Sequence, residues 1–152
     1  MSRTVLVIDD EESIRNSLKG ALSDEGYKVL SASSGPEGLD LLKSKKADVV
    51  LLDIWMEGMD GLQTLEKMST SYPETVVVMM SGHGTIETAV KATKLGAYDF
   101  IEKPFNIDQL LVVIRRAMET SRLRRENQNL KRRDVATSEM IGTSAPYLAL
   151  LG

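Results

Sequence analysis

Acidic residues stand where apolar runs end. Thr4-Val-Leu-Val-Ile8 leads into Asp9-Asp10-Glu11-Glu12, and Val49-Val-Leu-Leu-Asp53 closes on one carboxylate before a stretch punctuated by Gly58 and Gly61. Two further runs end on other reactive types: Thr75-Val-Val-Val-Met-Met80 reaches Ser81-Gly-His-Gly84, and Tyr98 to Glu102 reaches Lys103-Pro104. Gathered carboxylates repel one another unless a cation sits among them, and oxygen ligands with room for water suit Mg²⁺. A further carboxylate, a hydroxyl (Ser81) and an ammonium (Lys103) beside such a cation make a site for a phosphoryl group. The plain alternative for Asp53 is a strand-ending residue that caps the next turn.

The elements that must position these residues follow from the pattern between them. An apolar run without polar alternation is a strand covered on both faces, which requires a parallel sheet with helices on either side. Ile14, Leu18, Ala21 and Leu22 have helical spacing and end at Gly26, placed as a left-handed cap. Tyr27 to Ala32 is a second strand, and Ser34-Gly-Pro-Glu37 has the spacing of a capping box that opens the next helix. Leu62, Leu65 and Met68 mark a third helix, Thr85 to Leu95 a fourth that stops at Gly96, and Ile107, Leu110, Leu111 and Ile114 start the last. Strand and helix alternate about five times, so the expected fold is α/β: a doubly wound, five-stranded parallel sheet in the flavodoxin-like order 2-1-3-4-5, with an extended C-terminal linker helix. That order sets the first and third strand ends side by side, bringing Asp9, Asp10 and Asp53 together.

Charge divides the chain. Residues 1–114 carry 11 Lys and Arg against 18 Asp and Glu, a balance of −7, and residues 115–133 carry 8 against 2, a balance of +6. The expected organisation is a domain over 1–118, a helical, coiled-coil-like dimerisation linker over 119–133, and a second linker with further lead-in over 134–152. In the middle segment Leu123, Asn127 and Leu130 fall at d, a and d of a heptad. Glu119 and Glu126 then occupy g, and Arg124 and Lys131 occupy e, so a parallel pair would set acid against base. Interspersed Glu and the lack of stacking aromatics argue against direct nucleic acid binding by this basic run. The chain has no Cys, which fits a reducing, cytoplasmic setting, and its apolar runs are too short to cross a bilayer.

Taken together, Asp9-Asp10, Asp53, Ser81 and Lys103-Pro104 at successive strand ends resemble the receiver domains of two-component response regulators, over residues 1 to about 118. Ser81-Gly-His-Gly-Thr-Ile-Glu-Thr-Ala-Val90 and Gly96-Ala-Tyr-Asp-Phe-Ile-Glu-Lys-Pro-Phe105 are most similar to the NtrC/NtrX subgroup. Such receivers control a sigma-54-dependent AAA+ ATPase and a DNA-binding domain. The resemblance implies that Asp53 accepts a phosphoryl group from a sensor histidine kinase, with no separate enzymatic activity beyond self-phosphorylation and self-dephosphorylation. It implies Mg²⁺ on Asp10 and Asp53, on Asp9 through water, and on the Trp55 carbonyl. Ser81 and Lys103 would hold the phosphoryl oxygens, and Phe100 takes the position of the switch aromatic. A homodimer through the receiver surface and linker helix is expected as the output. Met140-Ile-Gly-Thr-Ser144 resembles the lead-in to an AAA+ domain, so a longer regulator is expected.

Glu57 stands where the family usually has Pro, four residues after the acceptor, and is expected to be a solvated loop charge. A lone His83 lacks the clustered ligands of a metal site. The Lys103-Pro104 bond could be cis, since the lysine must be aimed inward. Three other functions compete. An Mg²⁺-dependent aspartyl phosphatase normally needs a second acid near its nucleophile, where this chain has Trp55. A flavodoxin-like cofactor binder needs a phosphate-cradling loop after the first strand, where Asp-Asp-Glu-Glu repels phosphate. A degenerate receiver acting only as an interaction module would not need the full set of acceptor-site residues present here.

Overall fold

The computed structural model describes residues 3–54, 61–82, 86–103 and 106–141, with side chains as far as Asn127. Strands β1 (Thr4–Ile8), β2 (Lys28–Ala32), β3 (Val49–Asp53), β4 (Val76–Ser81) and β5 (Asp99–Glu102) alternate with helices α1 (Glu12–Asp24), α2 (Gly35–Ser44), α3 (Gly61–Ser71), α4 (Ile86–Lys94) and α5 (Ile107–Ile141). The sheet is parallel throughout and runs β2-β1-β3-β4-β5, the expected order.

Every residue of β1, β3 and β4 is buried, which is why these strands read as unbroken apolar runs. Successive residues feed two cores. Val5, Val7, Val49 and Leu51 pack with Leu18 of α1 and Ile114 of α5, whereas Leu6, Ile8, Val50 and Leu52 pack with Leu42 of α2 and Leu65 of α3. The edge strands keep polar residues outward, with Lys28 and Ser31 on β2 and Asp99 and Glu102 on β5 exposed, which blunts pairing with another chain.

Local chemistry sets the helix ends. Gly26 adopts φ +90°, and the Tyr27 N–H donates back to the Leu22 carbonyl at 3.1 Å, so β2 starts at Lys28 rather than at the expected Tyr27. Gly96, at φ +113°, closes α4 in the same way, with the Ala97 N–H on the Ala92 carbonyl. At the start of α2 the Ser34 hydroxyl accepts the Glu37 N–H at 3.3 Å, as a capping box requires. The return bond is displaced by one residue, because Glu37 Oε1 takes the N–H and hydroxyl of Ser33 at 2.9 and 2.8 Å.

Helix α5 departs from expectation in length. No Gly or Pro occurs between Ile107 and Ile141, and the helix runs unbroken across 134–138, the stretch expected to be an aperiodic linker. One stripe of it faces the sheet domain: Leu110, Ile114, Ala117 and Met118 in the core, then Ser121 and Arg125. The Ser121 hydroxyl donates to the Glu74 carbonyl at 3.4 Å, Arg124 Nη1 to the Thr75 carbonyl at 3.4 Å, and Arg125 Nη1 meets Asp48 Oδ1 at 2.7 Å. Leu123 faces away and is 51% exposed, as a free seam position would be. On its own helix, Arg122 pairs with both Glu119 and Glu126, and Arg124 turns to the domain. The side chains of Leu130 and Lys131 lie outside the described residues.

Candidate functional site

The parallel register brings the strand ends level. Ile8 pairs with Leu52, Asp53 with Met80, and Ser81 with Glu102, so the residues that follow or end these strands share one rim. Asp9 and Asp53 are buried there, at 0% and 4% exposure, while Asp10 is open to solvent. One carboxylate oxygen from each lies within 4.8 Å of the others. That spacing is short enough for one cation to sit among the three, held directly or through water. The donor set, all oxygen with one solvent-facing member, fits Mg²⁺ with retained waters.

Asp9 and Lys103 are held from below. The Asp9 N–H donates to the Ala32 carbonyl at 3.2 Å, and its Oδ1 accepts the Glu11 N–H at 2.9 Å. Lys103 is drawn inward by its own N–H on the Ser81 carbonyl at 2.8 Å, and its ammonium sits 2.7 Å from Asp9 Oδ2 and 3.5 Å from Asp53 Oδ2. Burial pushes the Lys103 ammonium down, but the bond to Asp9 and the charges of Asp53, Asp9 and Glu11 outweigh it, so its pKa is raised. A raised lysine pKa contributes stability at neutral pH that is lost only as pH climbs through the folded value, so the lysine is a fixed cation in the working range. Among the described residues, the three carboxylates and the Lys103 ammonium sum to a formal charge two units negative, the deficit a divalent cation would fill.

Ser81 is fully buried on the opposite side of β4 from Met80, and Phe100 of β5 is part-buried on the same side, packed against the core that contains Met79 and Ala92. The hydroxyl and the aromatic ring therefore share one side of the sheet.

Two contributors were not anticipated. Arg15, one turn into α1, donates from Nη1 to the Asp9 carbonyl at 2.7 Å; in sequence it reads as one more surface charge on an amphipathic helix. Gly61 opens α3 directly under Asp53: its N–H donates to the Ile54 carbonyl at 2.9 Å, and a Cβ there would come within 2.4 Å of the Asp53 carbonyl oxygen and 2.6 Å of Ile54 Cα. A Gly flanking a strand end was the available signal. Trp55, Glu57, His83 and Pro104, with the Lys103-Pro104 bond, lie outside the described residues.

Residues 5–115 match the family described as the response regulator receiver domain. The chain belongs to the response regulator receiver family. Within it, the nitrogen assimilation regulatory protein NtrX of Azorhizobium caulinodans is 48% identical over 133 residues, covering 86% of this chain and 29% of that protein. The crystal structure of the receiver domain of NtrX from Brucella abortus is 48% identical, with a TM-score of 0.73 over 76% of this chain and 98% of that one. The solution structure of a beryllofluoride-activated NtrC4 receiver domain dimer is 42% identical, with a TM-score of 0.74 over 78% and 98%. This receiver thus spans under a third of the curated relative it matches. Among the described residues, no helix is long and apolar enough to cross a membrane.

Proposed function

We propose that this receiver is a phosphoacceptor that takes a phosphoryl group onto Asp53 from the phosphohistidine of a sensor kinase. The observation that carries this reading is the placement of buried Asp53, 3.5 Å from the Lys103 ammonium and beside Asp9 and Asp10, at one rim of the sheet. An Asp53 carboxylate oxygen attacks phosphorus and the P–N bond to the histidine breaks, its electron pair leaving with the imidazole. The product is an acyl phosphate, which hydrolysis later returns to carboxylate and inorganic phosphate.

Asp10 and Asp53 would hold Mg²⁺ directly, Asp9 through water, and Trp55 through its carbonyl. Bound there, the cation supplies neutralisation of the charge that the incoming phosphoryl oxygens bring. The remaining steps belong to the chain. Lys103 leaves its bonds to Asp9 for a phosphoryl oxygen, the Ser81 hydroxyl donates to another, and the space vacated on that side of β4 admits Phe100. The surface that would register the change is α4, β5 and α5, where Ile86 and Val90 are already 85% and 47% exposed. We assign to that surface and to the outward seam at Leu123 a homodimer contact whose balance phosphorylation alters. On this reading 1–118 is the receiver, 119–133 the dimerisation linker and 134–152 the lead-in to AAA+ and DNA-binding domains of a sigma-54-dependent activator in the cytoplasm.

One experiment tests chemistry and output together. Incubation with acetyl phosphate and Mg²⁺ should add the mass of one phosphoryl group, labile to acid, and beryllofluoride with Mg²⁺ should shift the sedimentation distribution. Asp53→Asn should abolish both responses. Persistent labelling of the Asp53→Asn protein under the same conditions would refute the assignment.

A further inference from the structure

We propose that Arg15 is a positioning residue for the cation site, acting through the Asp9–Asp10 peptide rather than through its charge. The inference rests on the Mg²⁺ reading above. Asp9 is fixed on every side: its N–H by Ala32, its carboxylate by Glu11 and Lys103, and its carbonyl by Arg15 Nη1 at 2.7 Å. Asp10 is the opposite. It is exposed, and among the described residues no hydrogen bond or ion pair holds its side chain. Its aim therefore depends on the backbone that carries it, and the planar Asp9–Asp10 peptide is oriented by the carbonyl that Arg15 grips.

The location of Arg15 strengthens the case. It folds back over the start of its own helix, where the aligned peptide dipoles disfavour a cation. Glu11, the residue that caps α1, makes no side-chain cap bond, so the entry to the helix is ordered by Asp9 and Arg15 instead. Arg15 also has an acid within electrostatic reach, Glu37, yet the hydrogen bond it forms is to a neutral carbonyl. A side chain there for charge alone would be expected to sit on a carboxylate.

The two roles predict opposite signs. A guanidinium acting as a nearby cation competes with Mg²⁺, so removing it would tighten Mg²⁺ binding. One that orients Asp10 supports Mg²⁺ binding, so removing it weakens binding, on the scale of about tenfold that outer groups holding metal ligands typically show. Calorimetric Mg²⁺ titration of wild type, Arg15→Met and Arg15→Lys decides the matter, with urea midpoints in the absence of Mg²⁺ recorded alongside. The expected result is a dissociation constant raised about tenfold in Arg15→Met and raised less in Arg15→Lys, which keeps one donor. The acetyl phosphate reaction should need more Mg²⁺ for half-maximal rate in both variants yet reach nearly the wild-type rate at saturation. Should Arg15→Met fail to fold, the Arg15→Lys titration carries the test alone. Unchanged or tighter Mg²⁺ binding in a folded variant overturns the proposal while leaving the Mg²⁺ reading intact. Wild type that takes up no Mg²⁺ overturns both.

Discussion

At the amino end of the sheet Asp48 is matched atom by atom: Oδ1 meets Arg125 at 2.7 Å and Oδ2 accepts the Thr4 N–H at 2.8 Å. Nearby, the Thr75 hydroxyl donates to the Ala47 carbonyl at 3.2 Å and Ser121 to that of Glu74. At the carboxyl end the Lys103 ammonium meets Asp9 and Asp53, and Asp10 stands beside them with no ion pair among the described residues. The matched end ties α5 to the sheet. The other end keeps an excess of like charge in and around buried positions, which costs stability in the free protein and which a divalent cation would offset. Structural and functional electrostatics are thus separated along one axis of the same sheet.

The largest effect expected on this contrast comes from Gly61, which lets α3 start under Asp53. Gly61→Ala sets a Cβ against the Asp53 carbonyl and Ile54 Cα, backbone atoms that can move only by displacing the rim. A loss of about 2–3 kcal/mol in urea denaturation is expected, as for overpacking of a tight site, along with loss of Mg²⁺-dependent labelling. An unaffected midpoint and labelling rate would show that the rim tolerates movement and is not pre-organised.

Next in size is a pair of substitutions of opposite sign. Asp48→Ala leaves Arg125 and the Thr4 N–H without their acceptor and should cost about 1–2 kcal/mol, most of it from the lost hydrogen bonds, since the ion pair is part-exposed. Asp10→Asn removes one like charge from the unmatched rim and should raise the urea midpoint measured without Mg²⁺ while weakening Mg²⁺ binding, a trade of stability for function. If both acids destabilise on removal, the two ends do not differ as described.

This contrast also governs what could be read in the sequence. The strands were legible because β1, β3 and β4 are buried on both faces, and the acids because each terminates such a strand. The order 2-1-3-4-5 followed from short right-handed connections and correctly juxtaposed Asp9, Asp10 and Asp53. What was not legible depends on long-range side-chain reach. Asp48 and Arg125 show nothing locally that pairs them, and Arg15 looks like any exposed charge on a helix. Tyr27 reads in sequence as the start of a strand, but its N–H closes the preceding helix. The stretch 134–138 lacks apolar periodicity, yet a helix already under way continues through residues that offer it no breaker.

The smallest expected effect is a control at the carboxyl end, where one motif is matched locally. Glu37 sits at the start of α2, just past the end of β2, and the Ser33 N–H and hydroxyl, with a lesser contribution from the charge of Arg15, hold its pKa below the ordinary value. A depressed carboxylate contributes stability that is present above its unfolded pKa, about 4.3, and is lost as pH falls through the lower folded value. The group is largely exposed, so Glu37→Gln should cost only a few tenths to about 1 kcal/mol at pH 7, and that difference should disappear as pH falls through the lowered folded pKa and the wild-type carboxylate protonates. Urea midpoints of the two proteins across that range measure it. Because the motif is satisfied within its own turn, Mg²⁺ affinity and Asp53 labelling should be indifferent to the change. A shift in either would mean that α2 and the phosphoryl rim are coupled, and that the carboxyl end is one electrostatic unit rather than an unmatched cluster beside a matched cap.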